Sequence, residues 1–246
     1  MNGQQLLLDL PLSVPAATFD AFVLSEGNRL AYDALHRLSS LPAGGVTLTG
    51  GEGVGKSHLL QAAVHARQKA EGEGSAVHLN LDDLLLEQNL GLGDSLEEML
   101  SHHLDRVAAC RLVTLDTLER SREIPVLQEV ALFLYNAMRA RKGHLVAASR
   151  SSPAECDWMR PDLRTRLLWG PVIELEQPDE PELEAILARM AQARQVAISP
   201  ELCRFLQRRL PRSVPDYRQA LETLDRAGLQ RQRPLTVPLA KSVLGL

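Results

Sequence analysis

Over roughly the first two thirds of this chain, short apolar runs alternate with longer stretches in which apolar residues recur every three or four positions. The short runs, Val46–Thr49, Ala76–Leu81, Leu112–Leu115, Leu145–Ala148 and Val172–Leu175, read as buried strands. The longer patterns predict helices at Ser57–Lys69, at Ser95–Val107 with Asp94 as N-cap, and at Pro125–Arg141, closed by Gly143. Strands that alternate with helices predict an α/β fold, a parallel five-stranded sheet flanked by helices. From Pro178 onward only the helical period survives. Glu180–Arg194, Pro200–Arg209, Val214–Ala227 and Val237–Leu244 read as short helices separated by Pro, Ser or Gly, and so as a small all-helical domain. The expected organisation is an N-terminal segment at 1–17, an α/β domain at 18–177 and a helical domain at 178–246.

Composition narrows the class. With 246 residues, 45% hydrophobic and 24% charged, the chain has enough apolar material for a full core. A net charge of −4 exerts no overall pull toward nucleic acid or an anionic membrane. The cluster Arg204, Arg208, Arg209, Arg212 and Arg218 reads as a solvated basic face, with contact to DNA phosphates as the alternative. Cys110, Cys156 and Cys203 are widely spaced, without a C-x-x-C pair, and read as reduced packing residues of a cytoplasmic protein. Asp9 and Pro11 interrupt the leucine-rich start, which matches neither a signal peptide nor a membrane span. His102 and His103, adjacent on a predicted helix, point in different directions and make a poor metal pair.

The chemistry concentrates after the first strand. Gly50-Gly51-Glu52-Gly53-Val54-Gly55-Lys56-Ser57 fits G-x-x-x-x-G-K-[ST] between a predicted strand and a predicted helix. In that setting backbone N–H groups and the helix N-terminus stabilise phosphate charge, Lys56 reaches the β- and γ-phosphates, and the Ser57 hydroxyl ligates Mg²⁺. His58, the next residue, belongs to the same cofactor-binding set. Leu112–Leu115 leads into Asp116, whose carboxylate would hold Mg²⁺ through water; the alternative is a strand-terminal turn residue. Thr117 follows where many such ATPases place a second carboxylate, and Glu119 comes two positions later.

The ordered set of P-loop, acidic strand end, Asp162-Leu163-Arg164-Thr165-Arg166-Leu167-Leu168-Trp169-Gly170 and helical lid resembles the AAA+ ATPases. Thr18-Phe19-Asp20-Ala21-Phe22-Val23 with Asn28–Tyr32, Leu134-Tyr135-Asn136, and the final helices are similar to the DnaA/Hda family of replication regulators. The resemblance implies that Phe19 and Phe22 help enclose the adenine of ADP or ATP. It makes Arg166 an arginine finger acting in trans on a partner module, with Arg164 placed to position it or the partner; ordinary salt bridges are the alternative. Gln5-Leu6-Leu7-Leu8-Asp9-Leu10 matches the Q-L-x-L-x-L peptide with which Hda docks on the DNA polymerase III sliding clamp (the β subunit). In an extended segment Leu6, Leu8 and Leu10 share one face and Gln5 adds a directional amide; a leucine-rich tail or strand is the other reading.

Three departures temper the carry-over. The lid arginine of the family falls on Pro215, leaving Arg212 or Arg218 as substitutes; the polar sensor after the fourth strand falls on Arg150, with Ser149 beside it; and Thr117 replaces the second acid. The expectation is a module that binds nucleotide to hold its shape rather than to turn it over. It would stimulate hydrolysis of ATP bound to the initiator DnaA, meet DNA only through the clamp and have the capacity to self-associate. No helix-turn-helix domain is seen after the lid, which sets it apart from the initiator itself. A helicase-loading adaptor of the same superfamily and a stand-alone ATPase are the competing readings.

Overall fold

The structure is a computed structural model that describes residues 17–83, 107, 110–194, 196–231 and 234–246. The expected peptide Gln5–Leu10, the helix Ser95–Val107 apart from its buried last residue, and His102-His103 lie outside the described residues. Five parallel strands form one sheet: β1 (Gly44–Thr49), β2 (Ala76–Asn80), β3 (Leu112–Asp116), β4 (His144–Ala148) and β5 (Val172–Glu174), in the order β2-β3-β4-β1-β5. This is the predicted α/β architecture. In β3 and β4 every residue is buried, as expected of central parallel strands covered on both faces.

Alternation along β4 divides the core. Leu145 and Ala147 face a cluster built on α3 (Val126–Ala140) and α4 (Pro161–Leu167), whereas Val146 and Ala148 join Val46 and Leu48 of β1 under α1 (Glu26–His36) and α2 (Lys56–Glu71). The helical region has its own core. There α5 (Glu180–Ala193), α6 (Pro200–Arg209), α7 (Val214–Arg231) and α8 (Val237–Leu244) gather Leu187, Leu202, Leu206, Tyr217 and Leu224. Helix α5 begins at a reciprocal cap: Asp179 Oδ1 accepts from the Glu182 N–H at 2.9 Å, and Glu182 Oε2 from the Asp179 N–H at 3.0 Å. The arginines at 204, 208, 209, 212 and 218 are exposed, and Arg212 pairs with Glu180. All three cysteines are buried. Among the described residues no helix is long and apolar enough to cross a membrane.

Two local features differ from expectation. Helix α1 starts where the Ser25 N–H donates to Asn28 Oδ1 at 2.9 Å, but buries only Ala31 and Leu35, too few for a clear apolar stripe. The left-handed residue that closes α3 is Lys142 (φ 57), not Gly143. Lys142 and Gly143 donate N–H groups to the Arg139 and Met138 carbonyls at 3.2 and 2.8 Å, completing the stop. Gly143 is small for a different reason, since a Cβ there would lie 2.8 Å from the Arg111 carbonyl oxygen.

Candidate nucleotide site and arginine face

The P-loop leaves the C-terminal end of β1, the position where open α/β sheets form their ligand crevice. Gly53 and Gly55 adopt left-handed backbone, φ 77 and 104. Both are also crowded: a Cβ at Gly53 would sit 2.8 Å from Pro215 Cδ, and one at Gly55 2.8 Å from the Phe22 ring. The loop is therefore held between the lid and the N-terminal aromatic segment. Lys56 starts α2, and its Nζ donates to the Gly50 and Gly51 carbonyls at 2.7 and 2.6 Å. Burial pushes the Lys56 pKa below the usual lysine value, while Glu119 and then Asp116 pull it back up.

Asp116 is 2% exposed at the end of β3 and accepts the Thr117 N–H at 2.9 Å. Register sets Asn80 of β2 opposite Asp116, and Asn80 Oδ1 accepts from Thr117 Oγ1 at 2.8 Å. Thr117 is left-handed (φ 54, ψ 45), an uncommon state for a β-branched residue. The turn Leu118–Arg122 follows, and it returns Glu119 to the P-loop, where Glu119 Oε1 accepts from Arg150 Nε at 3.1 Å. Sequence reasoning noted Glu119 as an acid two positions past Thr117 and Arg150 at the sensor position without pairing them, and passed over Asn80. The only signal was their place at or just after the ends of adjacent strands.

The aromatic residues divide. Phe22 lies 5.4 Å from the His58 ring and against Gly55, so it borders the P-loop. Phe19 packs edge-on to Tyr32 at 5.3 Å and to His36 at 5.1 Å, on the α1 side. His58 Nε2 bonds the Thr18 carbonyl at 2.8 Å; burial, the strongest influence, lowers its pKa, and the Arg218 charge acts in the same direction.

Arg166 is elsewhere. Its Nε donates to Asn136 Oδ1 at 2.9 Å and its Nη1 to the Asp162 carbonyl at 3.0 Å. Its guanidinium lies 5.7 Å from the centre of the Trp169 ring, which Arg139 also covers at 4.5 Å. Arg164 instead pairs with Asp157 at 3.5 Å. Gly170 abuts the Gly45 carbonyl so closely that a Cβ there would overlap it, and the Tyr135 ring lies 2.7 Å from a Cβ built at Gly45. Gly170 thus sets the segment after Arg166 beside Gly45 at the start of β1, and the Leu167 carbonyl accepts from Thr47 Oγ1 at 3.3 Å farther along the strand, whereas the P-loop follows the strand's C-terminal end.

The bacterial DnaA ATPase domain family matches residues 14–174, and the family described as Hda, lid domain, matches residues 179–244. The chain belongs to the DnaA-related AAA+ family. An uncharacterized protein of Haemophilus influenzae is 29% identical over 249 residues, covering all of both chains. Domain III of Thermotoga maritima DnaA has the same fold, with a TM-score of 0.76 at 21% identity over 94% of this chain and 96% of that one. AMPPCP-bound DnaA from Aquifex aeolicus gives a TM-score of 0.66 at 21% identity, covering 88% and 67%.

Within this DnaA-related framework Pro215, expected at the position of the family's lid arginine, packs its ring on Gly53 and makes an apolar contact. Of the two substitutes considered, Arg212 pairs with Glu180 within the lid, and Arg218 is exposed, its charge helping to lower the His58 pKa. At the position expected for the polar sensor, Ser149 is buried and its hydroxyl donates to the Ser151 carbonyl, while the exposed Arg150 pairs with Glu119.

Proposed function

We propose that this chain is a nucleotide-holding AAA+ regulator of replication initiation that presents Arg166 to ATP bound on DnaA, and that residues 5–10 tether it to the sliding clamp. The observation that carries the reading is that Arg166 makes its hydrogen bonds and ring contact with Asn136, Asp162 and Trp169, and none with a P-loop residue, among the described residues. An arginine so placed serves a phosphate on another module. Of the five N–H donors of its guanidinium, two are engaged by Asn136 and Asp162 among the described residues, leaving three for a partner's phosphate. Trp169 beneath the guanidinium restricts its rotamers in advance of docking. Charge stabilisation of this kind is worth about 10³–10⁵ in rate.

The P-loop supports binding of ADP or ATP by the chain itself, and the AMPPCP-bound DnaA neighbour supports the same assignment. The Ser57 hydroxyl and the buried Asp116 carboxylate, close to the loop, are hard oxygen donors that suit Mg²⁺, which would neutralise phosphate charge. Bound nucleotide fixes the lid against the loop. Thr117 in place of a second acid and Pro215 in place of a lid cation support slow intrinsic turnover. The protein is assigned to the cytoplasm, to DnaA and the clamp as partners, and to DNA only through the clamp; homo-oligomers are compatible with the in-trans geometry.

The test is hydrolysis of ATP pre-bound to DnaA, with DNA-loaded clamp, by the intact protein and by a form lacking residues 1–12. The reading predicts stimulation by the first and its loss in the second, because tethering raises effective concentration. No stimulation by the intact protein would contradict it and favour a helicase-loading adaptor.

A further inference from the structure

The pair of Glu119 and Arg150 has no part in that in-trans reaction, yet it stands beside the chain's own P-loop. Arg150 is fixed there by its backbone, since the Gly50 N–H donates to the Arg150 carbonyl at 3.3 Å. Glu119 arrives by another route: the left-handed Thr117 reverses the chain after Asp116, and the fully buried Leu118 pins the turn that follows. One oxygen of Glu119 takes the Arg150 bond at 3.1 Å, and the other, Oε2, is buried without a hydrogen-bond partner among the described residues. The Glu119 side chain is 29% exposed, so a water reaching it from the P-loop side can supply the donor that Oε2 lacks. The side chain of Arg150 is 65% exposed, and an ion pair so open to water is weak enough to release its partner.

We propose that Glu119 is the carboxylate that orients and deprotonates the attacking water at this chain's own phosphate site, and that Arg150 holds it out of action. The inference rests on nucleotide binding at the P-loop. In the step, the water oxygen bonds to the γ-phosphorus as the bond from that phosphorus to the β,γ-bridging oxygen breaks. ADP leaves with the bond's electron pair, and the water proton passes to Glu119 and then to solvent, giving ADP and inorganic phosphate. Glu119 thereby takes the part that the residue after Asp116 cannot, because Thr117 carries no carboxylate. The Arg150 latch accounts for slow turnover in a chain that retains an acid within reach of the site.

The experiment is single-turnover hydrolysis of ATP with Mg²⁺ by the full chain and its Arg150→Gln, Glu119→Gln and doubly substituted forms, beside equilibrium binding of a fluorescent ADP. Arg150→Gln is expected to speed hydrolysis about tenfold, and Glu119→Gln to slow it at least ~100-fold in either background, the usual scale of a general base. ADP affinity is expected to stay within about twofold throughout, and Glu119→Asp to recover part of the rate, as removal of a base rather than of the fold requires. Unchanged or slower hydrolysis in Arg150→Gln, or indifference to Glu119→Gln, with ADP binding normal, overturns this proposal alone. Failure of the intact chain to bind ADP overturns the nucleotide reading and this proposal with it.

Discussion

The two ends of β1 are finished with different materials. At the C-terminal end the loop is mostly backbone: successive glycines, a lysine at a helix start, and a lid proline packed over Gly53. At the N-terminal end an arginine is steadied by the Asn136 side chain, the Asp162 carbonyl and Trp169, a residue 57% exposed. The first end is enclosed by its own chain and suits a resident ligand. The second is open and suits a transient partner. On the proposed reading, each of these two ends is half of a catalytic centre, and a centre is completed only by docking.

Each end can be broken without the other. Lys56→Ala removes a partly buried ammonium and should weaken ADP or ATP binding by at least about 100-fold, near 3 kcal/mol, on titration calorimetry, with no direct effect at Arg166. Gly170→Ala forces a methyl into the Gly45 carbonyl and should cost about 1–3 kcal/mol, a drop in Tm of several degrees that loosens the arginine end first. Trp169→Ala removes a platform for two guanidinium groups, worth about 0.5–1 kcal/mol at an exposed site. It should reduce stimulation of DnaA severalfold while nucleotide affinity holds.

The smallest effect sharpens the contrast through pH. His58, beside the P-loop, has a pKa held below 6.5 chiefly by burial, as do His78 and His144. A base with a lowered folded-state pKa takes up its proton more readily when unfolded, so stability is present above about pH 6.5 and falls as pH drops below it. Urea midpoints at pH 7.5 and 5.5 should show that fall. It should be smaller in His58→Asn, whose amide can still donate toward the Thr18 carbonyl.

What the sequence made legible follows the same division. The P-loop is eight consecutive residues, and the strands around it are continuous apolar runs, so periodicity and spacing sufficed for both. Asp116 was visible because a carboxylate ending an apolar strand is conspicuous. The return of Glu119 to the site was not, because it depends on a left-handed backbone at Thr117, which a β-branched residue does not announce. Helix α1 escaped notice because Gly27 and Asn28 lower its helix propensity and its buried stripe is only two residues wide. Lys142 took the left-handed role expected of Gly143, since the glycine was needed for close approach to Arg111. Arg166 was assigned by resemblance, and the seating of the segment after it beside β1 required the tertiary contact of Gly170 with Gly45.

The most direct test compares Arg166→Ala with the intact protein in two assays on the same preparation: fluorescent ADP binding, and single-turnover hydrolysis of ATP pre-bound to DnaA with DNA-loaded clamp. The in-trans account predicts unchanged ADP affinity and at least about a 10³-fold loss of stimulation. Stimulation equal to that of the intact protein, or a matching loss of ADP affinity, would contradict it.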